Sequence, residues 1–328
     1  MPDAQPVAAP AEASAGEQEV DFPGDGLTLH GTLERPPEMP AMLLLQGSGP
    51  VDRDGNIPEV FETNLEKQVA QALARAGVAT LRYDKRSSDK TQIPTDTDAI
   101  AAFLDWNNIV GDAVAAWRFL REQPGIDRQR VGIFGHSEGG VLALAAAQQL
   151  LDAGEAPAVL VLAATPGRPM GEVVREQIER IMKQKGVDHH DAAKLLNTLD
   201  KIQEEVSETG EIPDDVPASL KPLYKPELGA YWQSLLQLDP AELAKLFPGP
   251  VLIIEGTADK QVSVREDALT LSDALSERPE DDHDLMISPR VSHELKTVDS
   301  PNAAGETGPI KPSLLEGITN WIKEKLLQ

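Results

Sequence analysis

The 328-residue chain contains no cysteine. That excludes disulfides, thiolate zinc sites, iron–sulfur clusters and a thiol nucleophile. It leaves the compartment open, because reducing and oxidising locations both tolerate a cysteine-free chain. Basic residues are few beside acidic ones: 30 Lys and Arg against 54 Asp and Glu, a formal net charge of -24. Such a surface repels phosphate backbones and anionic lipid headgroups, so neither nucleic acid nor membrane is an expected partner. Aromatic residues are 4% of the chain and give no sign of a stacking platform for sugars. No apolar run approaches the ~18 residues of a membrane span. What is present is 41% hydrophobic residues, enough at this length to bury a continuous core.

Residues 1–18 are rich in Ala, Pro and Glu and nearly free of large apolar side chains. They cannot bury enough surface to offset chain entropy, so a disordered leader or linker is expected there. They lack the basic start and apolar stretch of a signal peptide. They look like the linker that follows a removed one. The expectation is a periplasmic or secreted protein, with a cytoplasmic one as the alternative.

From residue 19 onward short apolar runs alternate with helical periodicity. Strands are expected at 19–22, 27–33, 41–45, 78–83, 131–134, 158–164, 251–255 and 285–287. Helices fall between them, near 65–76, 109–120, 141–151 and 265–275, and a last one from Ser313, as N-cap, to 327. Alternation on this scale implies a mostly parallel sheet covered by helices on both faces. Residues 170–247 interrupt it with charged helical stripes and several prolines. The expected organisation is therefore an α/β core from 19–169 and 248–328, with a helical insertion at 170–247.

The strongest chemical feature is Gly135-His136-Ser137-Glu138-Gly139-Gly140. It is a G-x-S-x-G pattern set directly between a strand and a helix. A sharp turn there strains the serine backbone and lifts its hydroxyl above the sheet. The bland alternative is a glycine-rich turn with an incidental serine. A serine hydroxyl needs a base, and the base needs an orienting carboxylate. Of the downstream histidines, His189 and His190 lie in the charged insertion and His283 precedes a strand. His293 follows that strand, where a parallel sheet places its reactive groups. His293 is thus the expected base. Asp259, in the loop beyond the strand at 251–255, is the expected acid, and Glu255 is its rival.

Acyl chemistry also needs donors aimed at a developing oxyanion. One is the backbone N–H of Glu138. The other comes from Gln46-Gly47-Ser48-Gly49-Pro50, with the Ser48 N–H chosen and Gly49 as rival. Asp52, Arg53, Asp54, Asp84, Lys85 and Arg86 cluster at the ends of two strands. A salt-bridge network bracing the oxyanion loop is favoured over recognition of a polar substrate group.

The segments 47–56, 81–86 and 135–140 together resemble the α/β-hydrolase superfamily. They are most similar to serine esterases of the dienelactone-hydrolase-like and serine-aminopeptidase-like group, the EstD-type acyl esterases. The resemblance runs from about Glu19 to the C-terminus. It implies an α/β-hydrolase fold with a helical cap, and a catalytic set of Ser137, Asp259 and His293 needing no metal or cofactor. The sequence departs from the group at Gln46, where many relatives have His, and at Ser87, where a glycine is usual. The expected activity is hydrolysis of small to medium acyl esters. The alternatives are an amidase or peptidase of the serine-aminopeptidase type and a non-catalytic binding protein on the same fold. Oligomeric state is left open.

Overall fold

The computed structural model describes residues 16–35, 39–88, 90–280, 282–300 and 303–327. Its opening strands are β1 (Gly16–Pro23), β2 (Thr28–Arg35) and β3 (Met39–Leu45). A small hairpin, β4 (Asn56–Ile57) and β5 (Phe61–Glu62), leads into α1 (Leu65–Arg75) and β6 (Ala79–Tyr83). Then come α2 (Thr97–Phe103), α3 (Trp106–Arg121), β7 (Ile126–His136), α4 (Glu138–Asp152) and β8 (Leu160–Ala163). Four helices follow: α5 (Met170–Gln184), α6 (His189–Thr209), α7 (Gly229–Leu236) and α8 (Pro240–Leu246). The chain closes with β9 (Val251–Gly256), α9 (Leu269–Ser276), β10 (His283–Ser288) and α10 (Pro312–Leu327).

Eight strands form one sheet in the order β1-β2-β6-β3-β7-β8-β9-β10. β1, β2 and β6 pair antiparallel, and every pair from β6 to β10 is parallel. The central parallel strands β3 and β8 are apolar on both faces because both are covered. Along β3, Leu43 and Leu45 join the core packed under α3 and α4, with Trp117, Ala113 and Leu144. Met42 and Leu44 point the other way, toward Leu65, Val69 and Leu73 of α1 and Ile318 and Ile322 of α10. That two-residue period splits one strand between two cores. The sheet therefore stays fixed while its carboxyl-end loops remain free to carry function.

Two expectations need correction. β1 starts at Gly16, and Gly16 to Gln18 pair with Arg35 to Leu33, so the linker expected over 1–18 gives way to strand before its end. Residues 1–15 of that linker lie outside the described residues. α10 begins at Pro312, so Ser313 is inside the helix rather than its cap. Proline suits the first helical position, where no N–H is needed.

The segment 170–247 divides. α5 and α6 pack together and α6 packs on α7, while α7 reaches α2 and α3. α8 packs instead on α4 and α9, beside the sheet. Among the described residues no helix is long and apolar enough to cross a membrane.

Candidate active site

β7 ends at His136 and α4 begins at Glu138, so Ser137 alone makes the turn. Its backbone lies at φ 57°, the left-handed region that costs a non-glycine residue about 1 kcal/mol or more. The surrounding glycines let this turn close. A Cβ on Gly135 would fall 2.1 Å from the Gly139 carbonyl oxygen, and one on Gly139 would fall 2.4 Å from that of Leu45. Helix α4 and strand β3 thus approach through bare backbone.

The Ser137 Oγ lies 2.9 Å from Nε2 of His293, and Nδ1 of His293 lies 2.7 Å from Oδ2 of Asp259. These residues come from the ends of β7, β10 and β9. The loops carrying the histidine and the aspartate are tied together: Ala258 N–H donates to the Val291 carbonyl, and Gly256 has no side chain to strike that same oxygen. His136 Nε2 sits 2.9 Å from the carbonyl of His293. A carbonyl only accepts, so that nitrogen carries the proton and holds the histidine turn against the serine turn.

Electrostatics separate the two candidate acids. Asp259 is fully buried in its side chain, and burial alone would raise its pKa. The charge and hydrogen bond of His293, with N–H donors from Val262 and Gln261, outweigh burial and bring it below the usual carboxylate range. Glu255 is also buried; one oxygen accepts from its neighbour Gly256, and the Asp259 carboxylate lies beside it. Burial first, then the charge of Asp259, pushes Glu255 far up while His293 holds Asp259 down, so Asp259 is the better counter-charge for the imidazole. Burial would lower the pKa of His293, and Asp259 reverses that to a net rise.

The loop after β3 is held from several sides. Gln46 Nε2 donates to the Tyr83 carbonyl at 2.8 Å. Lys85 Nζ donates to the Gly47 carbonyl at 2.5 Å, and Ser87 Oγ to that of Gly49 at 3.0 Å. Arg53 grips Asp84 with Nε and a second guanidinium nitrogen, and Arg82 holds Asp54. Arg86 is bidentate on buried Asp112, 2.7 and 2.8 Å away. The charged cluster is thus a brace. Ser48 Oγ reaches the Glu138 carboxylate at 2.7 Å, which brings the two expected oxyanion residues together through their side chains.

Tyr231 of α7 is a residue the sequence reading missed. Its hydroxyl also donates to Glu138, at 2.5 Å. Its signal was the Tyr231-Trp232 pair in an aromatic-poor segment. The scarce aromatics gather here, with Trp106 and Trp232 in ring contact with Tyr231 and Tyr224 against Trp232. A cavity of about 350 Å³ opens at Ser137 below α5 and α7, walled by Met170, Val173, Leu223 and Tyr231. Among the described residues the one trio of metal-type ligands is His136, His293 and Glu294. His293 already uses both ring nitrogens, so the trio does not offer three free donors.

The class of protein follows from sheet order, strained serine turn and residue convergence, and it agrees with sequence comparison. Residues 20–294 match the alpha/beta hydrolase family, and the chain belongs to it. It is 30% identical over 237 residues to esterase EstD of Thermotoga maritima, which covers 71% of this chain and 50% of that one. It is 33% identical over 135 residues to ethyl acetate hydrolase of Pseudomonas putida, covering 38% of this chain and 36% of that one. The chain thus spans half the length of the first relative and about a third of the second. Carboxyl esterase 2 of Tuber melanosporum shares the fold, with a TM-score of 0.59 at 16% identity over 97% of this chain and 89% of that one.

Proposed function

We propose that this chain is a serine carboxylic ester hydrolase acting by two-step acyl transfer on small to medium acyl esters. One observation carries the reading: the Ser137 hydroxyl, His293 imidazole and Asp259 carboxylate form one hydrogen-bonded line at 2.9 and 2.7 Å. The names of the two relatives, an esterase and an ethyl acetate hydrolase, favour ester over amide substrates.

His293 Nε2 takes the proton as Ser137 Oγ attacks the ester carbonyl. The carbonyl oxygen becomes an oxyanion resting on the backbone N–H groups of Glu138 and Ser48, with Gly49 as the rival donor. Glu138 opens α4, so its N–H has no carbonyl one turn back to serve. The intermediate collapses, and the alcohol leaves with the proton from His293. Water then attacks the acyl-serine, with His293 again as base, and releases the acid. Asp259 stays ionised throughout and stabilises the imidazolium. The helices above the apolar cavity act as a cap that sets acyl length.

Ser137→Ala tests this. Turnover of p-nitrophenyl butyrate should fall by at least about 10³-fold with an unchanged melting temperature. A fluorophosphonate should label the parent at Ser137 and leave the variant unlabelled. Near-parental turnover in the variant would remove the mechanism.

A further inference from the structure

Ser137 is reached by a second cavity, of about 180 Å³, between the loop after β3, the β4–β5 hairpin and the His293 turn. A space of ~150 Å³ holds a benzene, so a small alcohol fits. His293 lines this cavity and not the apolar one. In acyl transfer His293 hands its proton to the departing alcohol oxygen, so the alcohol lies on the histidine side. The acyl chain then occupies the apolar cavity.

The walls of the second cavity are acidic. Glu66, Glu294 and Glu306 line it, along with the ring of Phe61. Glu66 is 1% exposed, and neither carboxyl oxygen has a hydrogen-bond partner in another residue. Gly55 makes room for it, since a Cβ there would fall 2.1 Å from Oε2. Burial, with the charge of Glu294, pushes the Glu66 carboxyl up to about 8, although Lys85 and Lys296 pull the other way. Those two ammonium groups serve backbone carbonyls, Lys85 that of Gly47 and Lys296 that of Thr63. Among the described residues no Lys or Arg lines the cavity itself. Burial disfavours the charged form of Glu66 in the empty cavity, and a cation entering beside it favours release of that proton and supplies the carboxylate with a partner. The face of an aromatic ring favours an organic ammonium further.

We propose that this cavity is the alcohol subsite and that it selects esters of small ammonium alcohols, the cation being held by Glu66, Glu294 and Glu306 against Phe61. The proposal rests on the ester-hydrolase reading above.

Butyrylcholine and 3,3-dimethylbutyl butyrate differ only in quaternary nitrogen against carbon, and their kcat/KM ratio reads the subsite. The parent should favour the cationic ester by at least about tenfold. Glu294→Gln and Glu66→Gln should each lower the ratio at least about fivefold. A ratio near one in the parent, or one that survives both substitutions, overturns the proposal. Should Glu66→Gln not fold, Glu294→Gln carries the comparison.

A second measurement is independent of turnover. Choline chloride should raise the melting temperature of Ser137→Ala above the effect of equal sodium chloride, and 3,3-dimethylbutan-1-ol should not. Adding Glu294→Gln should remove that rise. Absence of a choline-specific rise overturns the subsite. If the parent fails to hydrolyse p-nitrophenyl butyrate, the ester-hydrolase reading fails instead, and the melting experiment still decides whether the cavity binds an ammonium.

Discussion

The Tyr231 hydroxyl donates to Oε2 of Glu138, the same oxygen that accepts from Ser48. One carboxylate oxygen therefore joins helix α7, the loop after β3 and the residue that follows Ser137. Lys85 stands 3.9 Å from the other oxygen and also holds Gly47.

Tyr231→Phe removes one donor and keeps the ring in its aromatic cluster. A hydrogen bond to a charged acceptor contributes about 1.5–3 kcal/mol. With Ser48 still on that oxygen, the expected stability loss is at the low end. The larger effect should be on kcat, a fall of about tenfold, with KM for a short acyl ester little changed, because the contact positions the two proposed oxyanion donors. Steady-state kinetics on p-nitrophenyl acetate check the split; a rise in KM at constant kcat would make Tyr231 a binding residue only.

On the proposed mechanism the acid limb of kcat/KM reports His293. Only the neutral imidazole can accept the serine proton. Burial lowers its pKa, Asp259 raises it more, and the net shift is upward. Activity should therefore fall, as the pH drops, through a midpoint above the ordinary value of about 6.5. Asp259→Asn should move that midpoint down and reduce kcat by about 10³–10⁴-fold. A pH–rate profile of both proteins decides it, and an unmoved midpoint would dissociate Asp259 from His293.

Gly139→Ala tests the close approach at the serine turn. The new methyl would meet the backbone oxygens of Leu45 and Gln46 at 2.4 and 2.7 Å. Backbone cannot rotate away as a side chain can, so α4 and the loop after β3 must separate. A loss in kcat/KM of at least about 10²-fold is expected, together with a lower melting temperature. Parental kinetics would show that the approach has slack.

Glu66 gives a stability prediction with a definite sign. Burial holds its carboxyl up at about 8, above the ordinary 4.5, so the folded state binds the proton more tightly between those values. Stability attributable to this group is then highest below about 4.5 and is lost as the pH rises toward 8. Glu66→Gln has no proton to lose. Its melting temperature relative to the parent should climb between pH 5 and pH 9, by the equivalent of a few kcal/mol at most. A difference that stays constant across that range would mean that Glu66 is ionised in the folded state as it is in the unfolded one.

Much of the scaffold was legible along the chain, for physical reasons that act locally. A strand covered on both faces must be apolar at successive positions, as 41–45 is, and a helix must repeat its apolar residues every three or four. The turn at Ser137 was legible because only small residues fit at 135 and 139. The chain order serine, acid, histidine singled out Asp259 and His293, and the fold brings them within 2.7 Å of each other. Glu66 was not legible. An acidic residue in the first turn of a helix reads as a complement to the helix dipole, and only burial under Gly55 leaves it unpartnered. Tyr231 and Glu138 are 93 positions apart, and no periodicity relates them.

The sequence by itself determined what neighbouring residues decide among themselves: strand or helix, where the turns fall, and which turn strains its serine. The tertiary structure alone decided which distant side chains meet, which carboxyl burial pushes up and which a partner holds down, and that two unlike cavities share one hydroxyl. Steric rules act over a few residues. Burial and electrostatic environment are summed over every element packed around a point, and exist only once the chain has closed on itself.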